Sequence, residues 1–398
     1  MSKRTILPHP NQGVYSPSVT ANGEIIFVSG QLGCLNAPEN QTFQQECEAA
    51  MANLCSVLEQ SNSSLALATM CTIYLTDINS YDEFNVVYQQ ALANSSAQVS
   101  PPARACFAIE ALPRGGRVEI ECEAITKAAA NTREAVVPGV ANLFSASVVG
   151  GKDRIVWVAG QLSLKDGKLS GSTIEEQSDG AIECLSTVLD SAGSSLSALF
   201  RSTVFLTDMT QYAPMNAIYG NKLGLTTDQP KMSPPTRAAF AVKALPLNGI
   251  IEISGVAASD PSANITLPGH SAAPVYSPAV TTGNKSKLVW VSGQVALDPE
   301  SGTKDLVGAG DVISETKQSL ENLKMVLESS GASMETVLKV NIYCADMSDY
   351  GMINEVYTSY FGKDSPPARA CVQVKELPLG ARVELCCVAV EVDTNSGL

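Results

Sequence analysis

Histidine is nearly absent: the 398 residues hold only His9 and His270. A zinc site of three imidazoles, or a Ser-His or Cys-His relay, has almost nothing to be built from. The 11 cysteines are odd in number and contain no C-x-x-C pair. That spacing speaks for reduced thiols in a cytoplasmic compartment, not for a disulfide framework or a zinc ribbon. No window approaches the roughly 18 continuous apolar residues of a membrane span. The opening MSKRTILPHP lacks the apolar run of about 7–15 residues that a secretory signal needs. Basic residues are also outnumbered, 26 against 40 acidic, for a net charge of −14. Affinity for nucleic acid comes largely from Lys and Arg neutralising phosphates, so this balance opposes it. The expectation is a cytoplasmic protein with no metal, no membrane and no nucleic acid among its partners.

Hydrophobic residues make up 45% and charged residues 17%, enough for a packed core and against general disorder. The length fits two to four domains. An internal repeat decides the number. VYSPSVT (14–20) returns as LFSASVV (143–149) and VYSPAVT (275–281), and IIFVSGQ (25–31) as IVWVAGQ (155–161) and LVWVSGQ (288–294). TIYLTDINSYDEFNVVY has two further copies, SPPAR (100–104) returns as SPPTR and SPPAR, and RVEIECEAI closes a unit that IIEISGVAA and RVELCCVAV close again. The arginine of the SPP-x-R element moves from 104 to 237 to 369. Steps of this size are a whole small domain repeated, not a solenoid. The units are read as 1–128, 137–259 and 268–394. Their joins fall at KAAANTREAVVP (127–138) and SDPSANITLP (259–268), which have the polar, proline-containing character of linkers.

Within a unit the SGQ segment reads as a strand. Phe43, Cys47, Ala50, Met51, Leu54, Val57 and Leu58 recur at helical spacing, CTIYLTD reads as a strand, and Phe84, Val87, Tyr88 and Ala91 mark a second helix. Two alternating strands close the unit. The order β-β-α-β-α-β-β describes an α+β sandwich, a mixed sheet with two helices on one face. The bare sheet face is best covered by the other units, which suggests a closed, pseudo-threefold ring within one chain.

The succession SGQ, N-x-x-Y, P-P-A-R-x-C and L-P-x-G-x-x-V-E-I-E resembles the RidA (YjgF) family of enamine/imine deaminases, three times over. The resemblance implies a RidA-like (chorismate-mutase-like) fold, ligand clefts between units, and a fused trimer acting as a monomer. It implies hydrolysis of 2-aminoacrylate-type enamines and their 2-imino tautomers, such as 2-iminopropanoate, to a 2-oxo acid and ammonia, without cofactor or metal.

The residues suit that chemistry. A guanidinium grips a carboxylate through two parallel charge-assisted hydrogen bonds, and Arg104, Arg237 and Arg369 stand beside a rigid Pro-Pro in every unit. Glu119, Glu252 and Glu384, each 15 residues after its arginine, match the family's water-positioning glutamate; a carboxylate can take a proton from water and return one to the leaving amine. Tyr15 and Tyr276 match a cleft tyrosine. Asn85, Asn216 and Asn354 of N-x-x-Y match an interface position, and Ser29 and Ser292 of V-S-G-Q complete the substrate-binding set. The middle unit departs with Phe144, Ala159 and, in place of Cys106 and Cys371, Ala239. Its site is read as partly degenerate, binding 2-oxo acids but turning over slowly or not at all, with the defect confined to one cleft or split across two. A nucleophilic role for Cys106 and Cys371 is weakened by that alanine and by the lack of a repeated histidine. Two other functions are open: a non-catalytic module that senses 2-oxo acids or amino acids, and an endoribonuclease or translation inhibitor, against which the acidic balance counts.

Overall fold

A computed structural model describes residues 4–8, 14–35, 40–95, 100–139, 143–226, 233–259, 276–282, 287–301, 303–362 and 364–392. The first unit runs β1 (Arg4–Leu7), β2 (Ser18–Ala21), β3 (Ile25–Leu32), α1 (Phe43–Gln60), β4 (Ala68–Leu75), α2 (Tyr81–Ser95), β5 (Ala103–Ala108) and β6 (Val118–Ile125). The second runs β7 (Glu134–Pro138), β8 (Ser145–Gly150), β9 (Ile155–Gln161), a small ribbon of β10 (Leu164–Lys165) and β11 (Lys168–Leu169), α3 (Ile174–Ser191), β12 (Leu199–Leu206), α4 (Tyr212–Lys222), β13 (Thr236–Ala241) and β14 (Ile251–Ala258). The third runs β15 (Ala279–Thr282), β16 (Leu288–Gln294), α5 (Val312–Ser329), β17 (Val337–Cys344), α6 (Tyr350–Phe361), β18 (Ala368–Gln373) and β19 (Val383–Val390).

Each unit is one mixed sheet, in the order β1-β2-β3-β6-β4-β5 for the first. Among the described strand pairs within a sheet, only β4–β5 and its counterparts are parallel, because a helix crosses between those strands. The long helix of each unit starts at a side-chain cap: Thr42 and Thr173 form capping boxes with Gln45 and Glu176, and the Asp311 carboxylate accepts from the amides of Ile313 and Ser314. The helical stripe read at Cys47, Ala50, Met51, Leu54, Val57 and Leu58 is buried against the sheet.

One expectation changes. The stretch 127–138, read as a linker, is a short 3₁₀ segment (Lys127–Thr132) followed by β7, which pairs with β8 as the edge strand of the second sheet. The other join lies outside the described residues from 260 onward.

The opposite sheet faces meet on a common axis, as the fused-trimer reading requires. Phe107 packs on Phe205 with ring centroids 4.2 Å apart and Phe240 on Tyr343 with centroids 4.1 Å apart, both pairs tilted, linking all three units. The ring closes through one clamp used three times. The backbone N–H of Ser16 donates to Pro367 O, that of Ser145 to Pro102 O and that of Ser277 to Pro235 O, each at 3.0 Å. The three serine hydroxyls donate to the carbonyl of the preceding proline. The Pro-Pro of every SPP-x-R element is therefore held by the next unit. No helix among the described residues is long and apolar enough to cross a membrane.

Candidate active site

The Pro-Pro clamp brings each arginine to a seam between units. Arg104, Arg237 and Arg369 lie on β5, β13 and β18 and are only 3–4% exposed. Burying a guanidinium requires partners, and the partners repeat. Arg104 Nη1 donates to Asn85 Oδ1 at 2.7 Å and Nη2 to the Tyr81 hydroxyl at 2.5 Å. Arg369 Nη1 donates to Asn354 Oδ1 at 2.5 Å and Nη2 to the Tyr350 hydroxyl at 3.0 Å. Arg237 Nη2 donates to the Tyr212 hydroxyl at 3.0 Å, while its Nη1 and the Asn216 Oδ1 have no partner among the described residues.

Aromatic rings enclose each cation. The Arg104 guanidinium carbon is 5.4 Å from the Tyr88 ring and 5.3 Å from Phe144. Arg237 is 5.0 Å from Tyr219 and 5.3 Å from Tyr276, and Arg369 is 4.9 Å from Tyr357 and 5.3 Å from Tyr15. Read from the sequence, Tyr81, Tyr212 and Tyr350 carry no role, Tyr88 is a helix-face residue, and Tyr219 and Tyr357 are only the end of N-x-x-Y. Their signal was available: both tyrosines are identical in all three copies of the TIYLTDINSYDEFNVVY template.

The glutamates arrive from the neighbouring unit. The arginine acting on Glu252 is Arg104, the one acting on Glu384 is Arg237, and Arg369 acts on Glu119. The even spacing of 15 residues within each unit therefore does not join the two groups of one cleft. The clefts are Arg104 with Glu252, Arg237 with Glu384, and Arg369 with Glu119. All three carboxyls are buried, and burial pushes them up: Glu252 and Glu384 to about 8, and Glu119 well above the usual carboxylate range, each opposed by its cleft arginine.

The glycine of S/A-G-Q makes room for them. A Cβ on Gly30, Gly160 or Gly293 would sit 1.6, 1.8 or 1.7 Å from Oε1 of Glu119, Glu252 or Glu384. The β3–β6 register also breaks at this point, between Val28 and Gln31, and comparable irregularities recur in the other two units.

The serines before the glycine do structural work across the seam. Ser29 Oγ donates to Ser16 O at 2.5 Å and accepts from the Arg369 backbone N–H at 2.7 Å. Ser292 Oγ likewise donates to Ser277 O and accepts from the Arg237 N–H at 2.9 Å. Both hydroxyls thus fix the strand that carries the arginine.

Phe144, Glu252 and Arg104 share a cleft, and Ala159, just before Gly160, falls in the same one. The Arg237 cleft keeps Tyr276, Ser292 and Glu384 and lacks only the thiol replaced by Ala239. The middle unit's departures are therefore split across two clefts, and the loss of hydroxyls falls on Arg104. Cys106 is pushed up to about 12 by burial, which keeps it a thiol and removes the nucleophile reading there. Cys371 is pushed down, chiefly by the Cys344 thiol.

A family model described as Endoribonuclease L-PSP matches residues 8–126, 135–259 and 269–391. The chain belongs to this family, the RidA/YjgF family. The 2-iminobutanoate/2-iminopropanoate deaminase of Mus musculus is 45% identical over 116 residues, covering 29% of this chain and 81% of that protein. A RutC family protein of Pyrococcus abyssi is 41% identical over 114 residues, covering 29% of this chain and 84% of that protein. Among solved structures, RidA from an Antarctic Psychrobacter is 35% identical, with a TM-score of 0.28 and coverage of 31% of this chain and 95% of that one. Each of these relatives corresponds to about one of the three units.

Proposed function

We propose that the chain hydrolyses 2-imino acids and their enamine tautomers to 2-oxo acids and ammonia, as the names of its deaminase relatives suggest. One observation carries the reading. Glu119 and Glu384, in two of the three clefts, each keep a buried Oε2 that has no partner among the described residues. Buried polar atoms are nearly always satisfied, so a carboxyl oxygen left unpaired in a cleft that also holds an arginine calls for a bound molecule that pairs with it.

A water held beside a small 2-imino acid is such a molecule. Its carboxylate sits on the guanidinium, which the aromatic rings and Asn or Tyr partners hold in one orientation. The glutamate, protonated at neutral pH, gives its proton to C3 of an enamine and leaves the iminium. The resulting carboxylate takes a proton from water as the water oxygen bonds to C2. The carboxyl protonates the amine, the C–N bond breaks, and the remaining hydroxyl proton returns to the glutamate as the carbonyl forms. The sum is enamine plus water to 2-oxo acid plus ammonia. A group with a pKa of about 8 suits both halves of this exchange.

Ammonia release from freshly generated 2-aminoacrylate tests the reading, and release no faster than in buffer would remove it. The three clefts lie within one chain, so we also propose that it works as a monomer of 41.8 kDa; an obligate trimer of chains in a solution mass measurement contradicts that. A reducing, cytoplasmic compartment suits the 11 free cysteines.

A further inference from the structure

The turn that leads into the glutamate strand has the same shape in all units and a different side chain at its tip. Arg114, Leu247 and Leu379 occupy left-handed backbone, with φ of 59°, 57° and 60°. Non-glycine residues are uncommon there, and strain of this kind gathers at ligand sites.

In the first two units the turn packs against residues just beyond the strand glycine on which the glutamate rests. A Cβ on Gly116 would lie 2.8 Å from Leu32 Cδ2 and 3.3 Å from Cys34 Sγ; one on Gly249 would lie 2.6 Å from Leu162 Cδ2. Leu32 and Leu162 stand two residues beyond the glycines on which Glu119 and Glu252 rest. The turn is therefore a rim of the cleft. Leu247 and Leu379 are 59% and 51% exposed there, so two rims display a large apolar side chain to solvent. The third displays Arg114, whose charge acts on Tyr15 and Cys34. Tyr15 thus lies in the field of two guanidinium groups, Arg369 and Arg114, and its counterpart Tyr276 in that of Arg237.

We propose that these rim residues set the class of substrate side chain cleft by cleft. Arg114 makes the Arg369 cleft favour 2-imino acids with a second carboxylate, and Leu247 and Leu379 make the other two favour apolar side chains. The proposal rests on the deaminase reading. With the α-carboxylate anchored on the buried arginine, the substrate side chain points toward the rim. A second carboxylate there gains a cation beside Arg114, and loses water without return beside a leucine.

The full-length chain tests this with the Arg369 cleft isolated by Arg104→Ala and Arg237→Ala. The measurement is kcat/KM for the imine of aspartate relative to the imine of alanine. Arg114→Leu lowers that ratio roughly two- to fivefold, the scale of an exposed charge pair. Leu379→Arg, in a chain anchored only at Arg237, raises the ratio by a similar factor. Ratios unchanged in both variants overturn the proposal while ammonia release still stands. If no imine is turned over, the deaminase reading fails separately, and the same variants are scored by calorimetric binding of oxaloacetate against pyruvate, where an unchanged preference again overturns the rim assignment.

Discussion

Lys339 Nζ lies 3.0 Å from Glu121 Oε2, third unit to first, with side chains only 4% and 6% exposed. Asn341 Nδ2 donates to the same oxygen at 2.9 Å and the Tyr74 hydroxyl to the other at 3.1 Å. Beside them Arg201 Nη1 of the second unit meets Glu123 Oε1 at 3.1 Å, and the Trp157 indole N–H donates to Glu123 Oε2 at 2.5 Å. This network breaks the threefold symmetry of the ring. The positions equivalent to Glu121 hold Ser254 and Cys386, and those equivalent to Lys339 hold Met70 and Arg201. Three copies of the first unit would bring carboxylates to the axis with no cation. Three copies of the third would bring lysines with no anion. Either arrangement buries unpaired charge, so the axis accepts the units only as a mixed set.

Removing one partner should therefore cost more than removing the pair. Lys339→Met leaves Glu121 buried with two neutral donors, and is expected to cost about 3 kcal/mol, the low end for a broken buried pair. The double variant Glu121→Gln, Lys339→Met should recover most of that. Denaturant unfolding of the four chains reads the coupling; additive losses would show that the two groups do not depend on each other.

The raised carboxyls make both activity and stability fall toward alkaline pH. Glu252 and Glu384 hold their protons to about pH 8 in the folded chain and lose them near pH 4.3 when unfolded. Between these values the folded state binds more protons, so unfolding free energy decreases by roughly 1.4 kcal/mol per pH unit for each such group. Above about pH 8 both states are ionised and the slope ends. Replacing either glutamate with Gln should flatten the profile between pH 5 and 8 by one group's share. Activity depends on the acid form in the folded chain, which is held to about pH 8, so kcat/KM is expected to decline above about pH 8. A profile that rises through pH 8 contradicts the proton-donor role.

Gly293→Ala separates position from fold. The added Cβ meets Glu384 Oε1, the free end of a flexible side chain, so the carboxyl moves and the strand stays. We expect unfolding within about 1 kcal/mol of wild type, and loss of the Arg237 cleft's share of turnover. Full retention of that share, read with the other two arginines replaced by Ala, would mean that Glu384 need not lie where it does.

The sequence displayed its repeats because the clefts demand the same residues three times, and repetition made the arginines, glutamates and SGQ glycines stand out. It hid what is not repeated. Glu121, Glu123, Arg201 and Lys339 fall at positions the repeat does not share, so nothing in it singled them out, though they pair with one another between units. It also hid pairing across seams: Arg104 and Glu119 are evenly spaced along the chain, yet the strands that carry them face different neighbours. Strand β7 escaped notice because REAVVP, at a sheet edge, has the look of a linker.

The clefts should differ in rate, and the seam geometry says which one is slow. The Arg104 cleft has Phe144 where the others have Tyr15 and Tyr276, and Ala159 where the others have a serine that bridges the arginine's backbone. A lost hydroxyl that positions rather than reacts changes a rate by about 1–2 kcal/mol, or roughly five- to thirtyfold, and here two are lost. Arg104 and Glu252 remain, so a 2-oxo acid can still bind. If that cleft runs at least about tenfold slower than the others, it supplies no more than roughly 5% of turnover, and Arg104→Ala should be nearly silent in ammonia release. Arg237→Ala and Arg369→Ala should then each remove about half. Restoring Phe144→Tyr and Ala159→Ser together should add a third working cleft and raise total turnover about 1.5-fold, an increase that Arg104→Ala cancels. Neutral drift predicts something else: three equal losses of about one third for the single arginine variants, and no gain from the restored hydroxyls. That pattern would show that the tyrosine and serine hydroxyls contribute only to packing at the seam.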